Sequence, residues 1–153
     1  MSTLYVDNLQ PNLGSRVMAA GHVIQVKNIS NSTQLATTAA GFYDIGLDIS
    51  ITPSSANSTF LLFGSIHANI QTNSEGYGYG FYRDATLLHD EQLMVYATAA
   101  GLRAGMSVSH IDSPLTISTI TYKLRPRSFG SGTVEYNETN RSRSSFTVME
   151  IAQ

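Results

Sequence analysis

The chain has 153 residues, no cysteine and a formal net charge of −2, which is one domain or a domain plus an arm. The missing cysteines exclude a disulfide framework, thiolate-bound metals and thiol catalysis, and the near-neutral balance lacks the cationic surplus needed to neutralise phosphates, so nucleic acid is not an expected partner. Only 13% of the residues are charged, while 19 are Ser and 15 are Thr; hydroxyls therefore keep the surface dispersed, or part of it is hidden in an assembly.

Residues 1–20 come first in the chain and differ from the rest. Leu4, Val6 and Leu9 are spaced as an isolated extended segment, and Pro11, Asn12 and Gly14 break any regular element. The expectation is an N-terminal attachment arm over 1–20 ahead of a domain over 21–153; the alternative is a first edge strand of that domain. No basic region leads into an apolar core, so no signal peptide is expected. The longest nearly apolar stretch, 60–70, includes Ser65, His67 and Asn69 and falls far short of the roughly 20 apolar residues of a membrane span, so no membrane insertion is expected.

From there the period is two. Short strands are predicted over 22–28, 34–38 and 41–43, and Ile45, Leu47, Ile49 and Ile51 alternate with polar or small residues. The run 53–58, Pro-Ser-Ser-Ala-Asn-Ser, is a turn. In the next segment Phe60, Leu62, Gly64, Ile66, Ala68 and Ile70 share one face. Leu61 and Phe63 begin the other, followed by Ser65, His67, Asn69 and Gln71. This predicts a long strand covered on both sides in its first half and emerging into solvent or a subunit contact in its second. Further strands are predicted over 79–83, 92–98, 106–111, 116–125, 133–136 and 145–151, separated by Gly, Pro, Asp and Asn turns. No helical stripe occurs, so the reading is an all-β antiparallel sandwich.

The chemistry-bearing residues form no recognisable catalytic pattern. His22, His67, His89 and His110 have no metal-ligand spacing. The Gly-x-Ser-x-Gly elbow is absent, and Asp84, Asp90, Asp112 and Glu138 fall in turns. Gly76, Gly78 and Gly80 lead into no lysine or helix that would cradle phosphate. Neither an enzyme nor a cofactor is expected. The distinctive run is 77–83. On a strand, Tyr77, Tyr79 and Phe81 share one face and Gly78, Gly80 and Tyr82 the other. A strip of bare glycine backbone lets a neighbouring element or a sugar ring lie close, so Asn73, Tyr77, Tyr79, Phe81 and Tyr82 are candidate contacts for a surface glycan. The plainer reading is that these rings are core or subunit packing. Arg125, Arg127, Arg141 and Arg143 read as solvated turn charges.

Several strings resemble one protein family in order and spacing, from residue 2 to residue 151. They are the opening Ser2-Thr3-Leu4-Tyr5-Val6-Asp7-Asn8-Leu9-Gln10, then Val26-Lys27-Asn28, the run Leu47-Asp48-Ile49-Ser50-Ile51-Thr52-Pro53, and Tyr82-Arg83-Asp84. Asp112-Ser113-Pro114 follows, with Thr121-Tyr122-Lys123 and the closing Phe146-Thr147-Val148-Met149-Glu150-Ile151. Together they resemble small fibre-like or knob-like virion proteins of tailed phages, of the marine and cyanobacterial type. The resemblance implies a homotrimer of jelly-roll-like (TNF-like) β-sandwiches at the particle surface, on tail or head, with no catalytic residues. It also implies that the arm with Leu4, Val6 and Leu9 attaches to another virion protein and that the knob binds a host surface glycan. The alternative is a capsid decoration or head-fibre protein docked on the shell.

Overall fold

The structure is a computed structural model that describes residues 19–153. The predicted arm with Leu4, Val6 and Leu9 therefore lies outside the described residues. By Gly21 the chain is stitched into the fold: its N–H donates to the Ala152 carbonyl (2.8 Å), and the Ala152 N–H donates to that of His22 (2.8 Å).

Among the described residues there is no helix. The strands are β1 (Val23–Asn31), β2 (Leu35–Thr37), β3 (Gly41–Phe42), β4 (Asp48–Ile51), β5 (Thr59–Ile70), β6 (Glu75–Arg83), β7 (Thr86–Ala97), β8 (Leu102–Asp112), β9 (Ile120–Ser128), β10 (Val134–Tyr136) and β11 (Ser144–Ile151). All pairings are antiparallel. β11 and β10 lie end to end along one side of β5, with β1 and β2 beyond them and β8 on the other side of β5. In the second sheet, β3 and β4 lie end to end along β9, followed by β6 and β7. Counting each end-to-end pair as one row gives eight rows in the orders 1-8-3-6 and 2-7-4-5. That connectivity of two Greek keys is a jelly roll.

Alternation places Phe60, Leu62, Ile66 and Ile70 of β5, Tyr77 and Phe81 of β6, Tyr122 and Leu124 of β9, and Phe146 of β11 in the buried layer between the sheets. Buried tyrosines need partners for their hydroxyls. Tyr77 donates to the Ala104 carbonyl (2.8 Å) and Tyr122 to Asp112 (2.7 Å), while Tyr136 pairs with Ser128 (2.9 Å). Burial pushes the proton affinity of all three phenols up, so they stay neutral. Two buried carboxylates fasten loops. Glu75 accepts the N–H groups of Gly76, Gly130 and Gly132 (2.8, 2.7 and 2.6 Å). Glu150 accepts from the Ser54 N–H (2.6 Å) and from Gln25 (2.5 Å). β1, the outermost of the described strands on its side of the sheet, is bridged to the second sheet by Lys27, whose ammonium donates to the Ser50 carbonyl (2.7 Å).

The largest departures from the predicted elements are β6, which begins at Glu75, and β7, which spans Thr86–Ala97 where only 92–98 is predicted. Both have one cause. Tyr77 faces Val95 but Tyr79 faces Glu91, so β7 carries two residues more than β6 across this step. The bulge lays the Glu91–Gln92 backbone directly over Gly78, where a Cβ would collide with the Glu91 carbonyl. Bulges and strand glycines go together for this reason, and both erase the period-two signal. Gly78→Ala is expected to cost about 3 kcal/mol in urea unfolding; a loss below about 1 kcal/mol would show that the bulge does not ride on Gly78.

Candidate functional site

The sequence-predicted contact residues separate. Tyr77, Tyr79 and Phe81 are 0%, 6% and 0% exposed, so they are corrected from surface contacts to core. Their face of β6 is the inner one, where Tyr77 meets Tyr136 and Phe81 meets Phe146 edge-on or tilted. The glycine strip opposite them is also covered by the chain itself: the β7 bulge lies on Gly78, and the Phe42 ring and Leu87 lie on Gly80. Asn73 is exposed in the turn before β6, and Tyr82 is half-buried on the outer face of the second sheet. The fold does not bring these two together.

Among the described residues, that outer face gathers a dense group of charges. Lys123, Arg125 and Arg127 alternate outward along β9, between the buried Tyr122, Leu124 and Pro126. Register sets their neighbours: Asp48 and Tyr82 flank Lys123, Gly80 adjoins Arg125, and Phe42 and Gly78 flank Arg127. Arg125 makes a fork with Asp48 and reaches Asp44 at 3.1 Å. Arg127 sits over the Phe42 ring (5.0 Å) and pairs with Asp90 at 3.1 Å. Tyr82 meets Phe42 edge-on at 5.5 Å. Between these groups lies a depression of about 350 Å³ lined by Phe42, Asp44, Tyr82, Asp84, Lys123 and Arg125. Burial, then the nearby Asp90 carboxylate, pushes the Tyr82 phenol up, so its hydroxyl is a neutral donor and acceptor. An aromatic edge, a phenol, an ammonium and carboxylates around an open hollow suit a polyhydroxylated ligand: C–H faces pack on the rings and hydroxyls bond to the charged groups. Sequence reasoning reaches Tyr82 but misses Phe42, Asp44, Asp84 and Lys123, because the hollow is assembled from three separated segments, 42–44, 82–85 and 123–125. The alternating Lys-x-Arg-x-Arg of β9 was the available signal.

Two other features were absent from the sequence reading. Arg103 forks onto Glu138 (2.6 and 2.9 Å) beside Arg141, His67 and Ser142, around a hollow of about 220 Å³. The hydrogen bond from Arg103 holds the Glu138 carboxyl below its usual range. Toward the other end of β8, His110 and His89 of β7 stack across the gap between the two sheets (centroids 5.6 Å), and Phe81 stacks on His110 at 5.9 Å. Burial, and then the neighbouring His89, lower the proton affinity of His110, with Asp112 opposing. Among the described residues no group of three or more metal-ligating side chains converges.

No family model matches the chain, and no curated protein does. Solved structures do share its jelly roll. The chain is similar to the infectious bursal disease virus Gx strain structure (TM-score 0.53, 10% identity, 98% of this chain and 42% of that one). It is likewise similar to the VP2 subviral particle of that virus (0.52, 9%, 98% and 42%) and to the T13 particle of the same virus (0.52, 11%, 97% and 40%). The likeness is one of fold, and this chain spans about two fifths of those chains' length.

The stacked histidines give the fold a pH dependence with a definite sign. An unfolded histidine titrates near 6.5, and folded His110 titrates lower. Below pH about 6.5 the unfolded chain therefore binds more protons, and stability is lost as pH falls toward the folded value. Melting temperature is expected to drop between pH 7 and pH 5.5, and to drop less in His110→Phe. Equal slopes for the two proteins would remove His110 as the cause.

Proposed function

We propose that the protein is a non-catalytic structural component of a virus particle, a short fibre or adhesin of the tailed-phage type. It acts as a homotrimer that binds a host-surface glycan by repeated weak contacts. The observation that carries the particle reading is the jelly roll itself, shared over 97–98% of this chain with chains of a viral particle. The ordered sequence strings from Ser2 to Ile151 support the phage-fibre form of it. The hollow around Tyr82, Phe42 and Lys123 supports the glycan, and three copies would multiply a weak affinity by avidity. In this reading the N-terminal segment with Leu4, Val6 and Leu9 attaches the knob to another virion protein.

A second reading, a shell or decoration protein, is favoured by the same comparison, because the similar structures are those of the VP2 subviral particle and the T13 particle. Copy number per particle by quantitative gel separates the two: hundreds of copies mean shell, a few dozen or fewer mean fibre. For the adhesin reading, Tyr82→Ala with Lys123→Ala is expected to weaken adsorption to host cells at least tenfold with melting unchanged. Tyr79→Ala with Phe81→Ala is expected to abolish folding. Undiminished adsorption by the Tyr82/Lys123 variant would remove this hollow as the contact.

A further inference from the structure

The outer face of the first sheet is unlike that of the second. Cross-strand register aligns four rows on it, each running from β1 to β8 or the loop after it. Val26, Met149, Leu61 and Ile111 form an apolar row. Asn28, Thr147, Phe63 and Ser109 form the next, and Ser30, Ser145, Ser65 and Ser107 form a row of serines. On the other side of the apolar row lie Val23, Ile151 and Thr59, with Ser113 bonded to Thr59 at 3.2 Å. No residue of these rows carries a formal charge. Val26 is 52% and Ile111 65% exposed, and the loop after β8 adds Leu115 at 74% and Ile117 at 66%. A shallow hollow of about 360 Å³ lies among Phe63, Ser65, Ser107, Ser109 and Ser145. The sequence pattern predicts cover over Leu61 and Phe63; both are half-buried on the outer face, and among the described residues no strand lies over it.

We infer that this face is where two copies of the chain pair face to face; the inference rests on the self-association in the reading above, and such like-on-like pairing has twofold symmetry, so it joins copies in pairs rather than closing the threefold ring. The chemistry selects a second copy. An uncharged face offers nothing to a charged partner, and desolvating a partner's unpaired charges against it would be costly. Serine and threonine hydroxyls both donate and accept, so a serine-rich face is complementary to another face of the same composition, and the apolar row lies beside it for burial. Four strands about 4.8 Å apart and four rows about 6.8 Å apart give a footprint of about 500 Å². Two such footprints, enlarged by side-chain relief and the Leu115 loop, reach the lower end of specific interfaces.

The test is sedimentation of the full chain from 1 to 100 µM, for the wild type, Ser107→Arg, Val26→Arg and the second-sheet variant Lys123→Glu, with circular dichroism and melting confirming that each is folded. Ser107 and Val26 are exposed at opposite edges of the face, so neither change touches the core. The expected result is a wild-type oligomer, kept by Lys123→Glu. In both arginine variants its association weakens at least tenfold. If both keep the wild-type oligomer, the face is overturned while the oligomer reading survives. A wild type that stays monomeric to 100 µM overturns both and leaves the face to a different virion protein.

Discussion

The register of β5 is the constraint on which the rest depends. This strand is paired along its length on both sides, with β8 on one and β11 then β10 on the other. A slip of one residue on either side would send every side chain of the neighbour to the opposite face. In the observed register Phe60, Leu62 and Ile66 face Tyr122, Phe81 and their neighbours in the core. Leu61, Phe63 and Ser65 then complete the uncharged rows outside. The buried core and the surface chemistry are thus two consequences of one alignment.

Most of this alignment is legible in the sequence because β4 and β9 alternate between one apolar and one polar face, and β5 does so over its second half, which leaves a half-buried strand no second solution. Their order then leaves few sandwich topologies. The pattern failed where backbone geometry, not side-chain burial, decides the outcome. In β6 every second residue from Gly76 to Gly80 lacks a side chain, so alternation cannot be seen. The sequence suggested a gap that a ligand could fill. The chain fills it with its own bulge and with Phe42, from a strand more than thirty residues away. Of the two readings of Tyr77, Tyr79 and Phe81, ligand contact and core, the structure bears out the core one for that reason. The hollow around Tyr82 was only partly visible because its charges converge through the pairing of β4, β9 and β6, which no local motif encodes.

The low charge content also acquires a structural meaning. The few charges are not spread as a solubilising coat. Lys123, Arg125 and Arg127 with Asp44, Asp48 and Asp90 gather on one outer face, and Arg103, Glu138 and Arg141 gather at the end of the other sheet. Buried Glu75 and Glu150 are spent on loop backbones. What remains is a broad neutral face of hydroxyls and aliphatics. One side of the sandwich is therefore chemically suited to selective polar recognition, and the other to contact with its own kind.

The most direct test of this account is a cross-strand disulfide, in a chain whose lack of cysteine gives no background. Ser65 and Ser145 are register partners whose hydroxyl oxygens lie 3.0 Å apart, within the reach that paired cysteines need. Mild oxidation of Ser65→Cys/Ser145→Cys should cross-link the native chain rapidly. Ser65→Cys/Phe146→Cys, with the second thiol in the core, should remain reduced. The opposite outcome, a bridge to position 146 and none to 145, would place β11 one residue out of register and contradict the account.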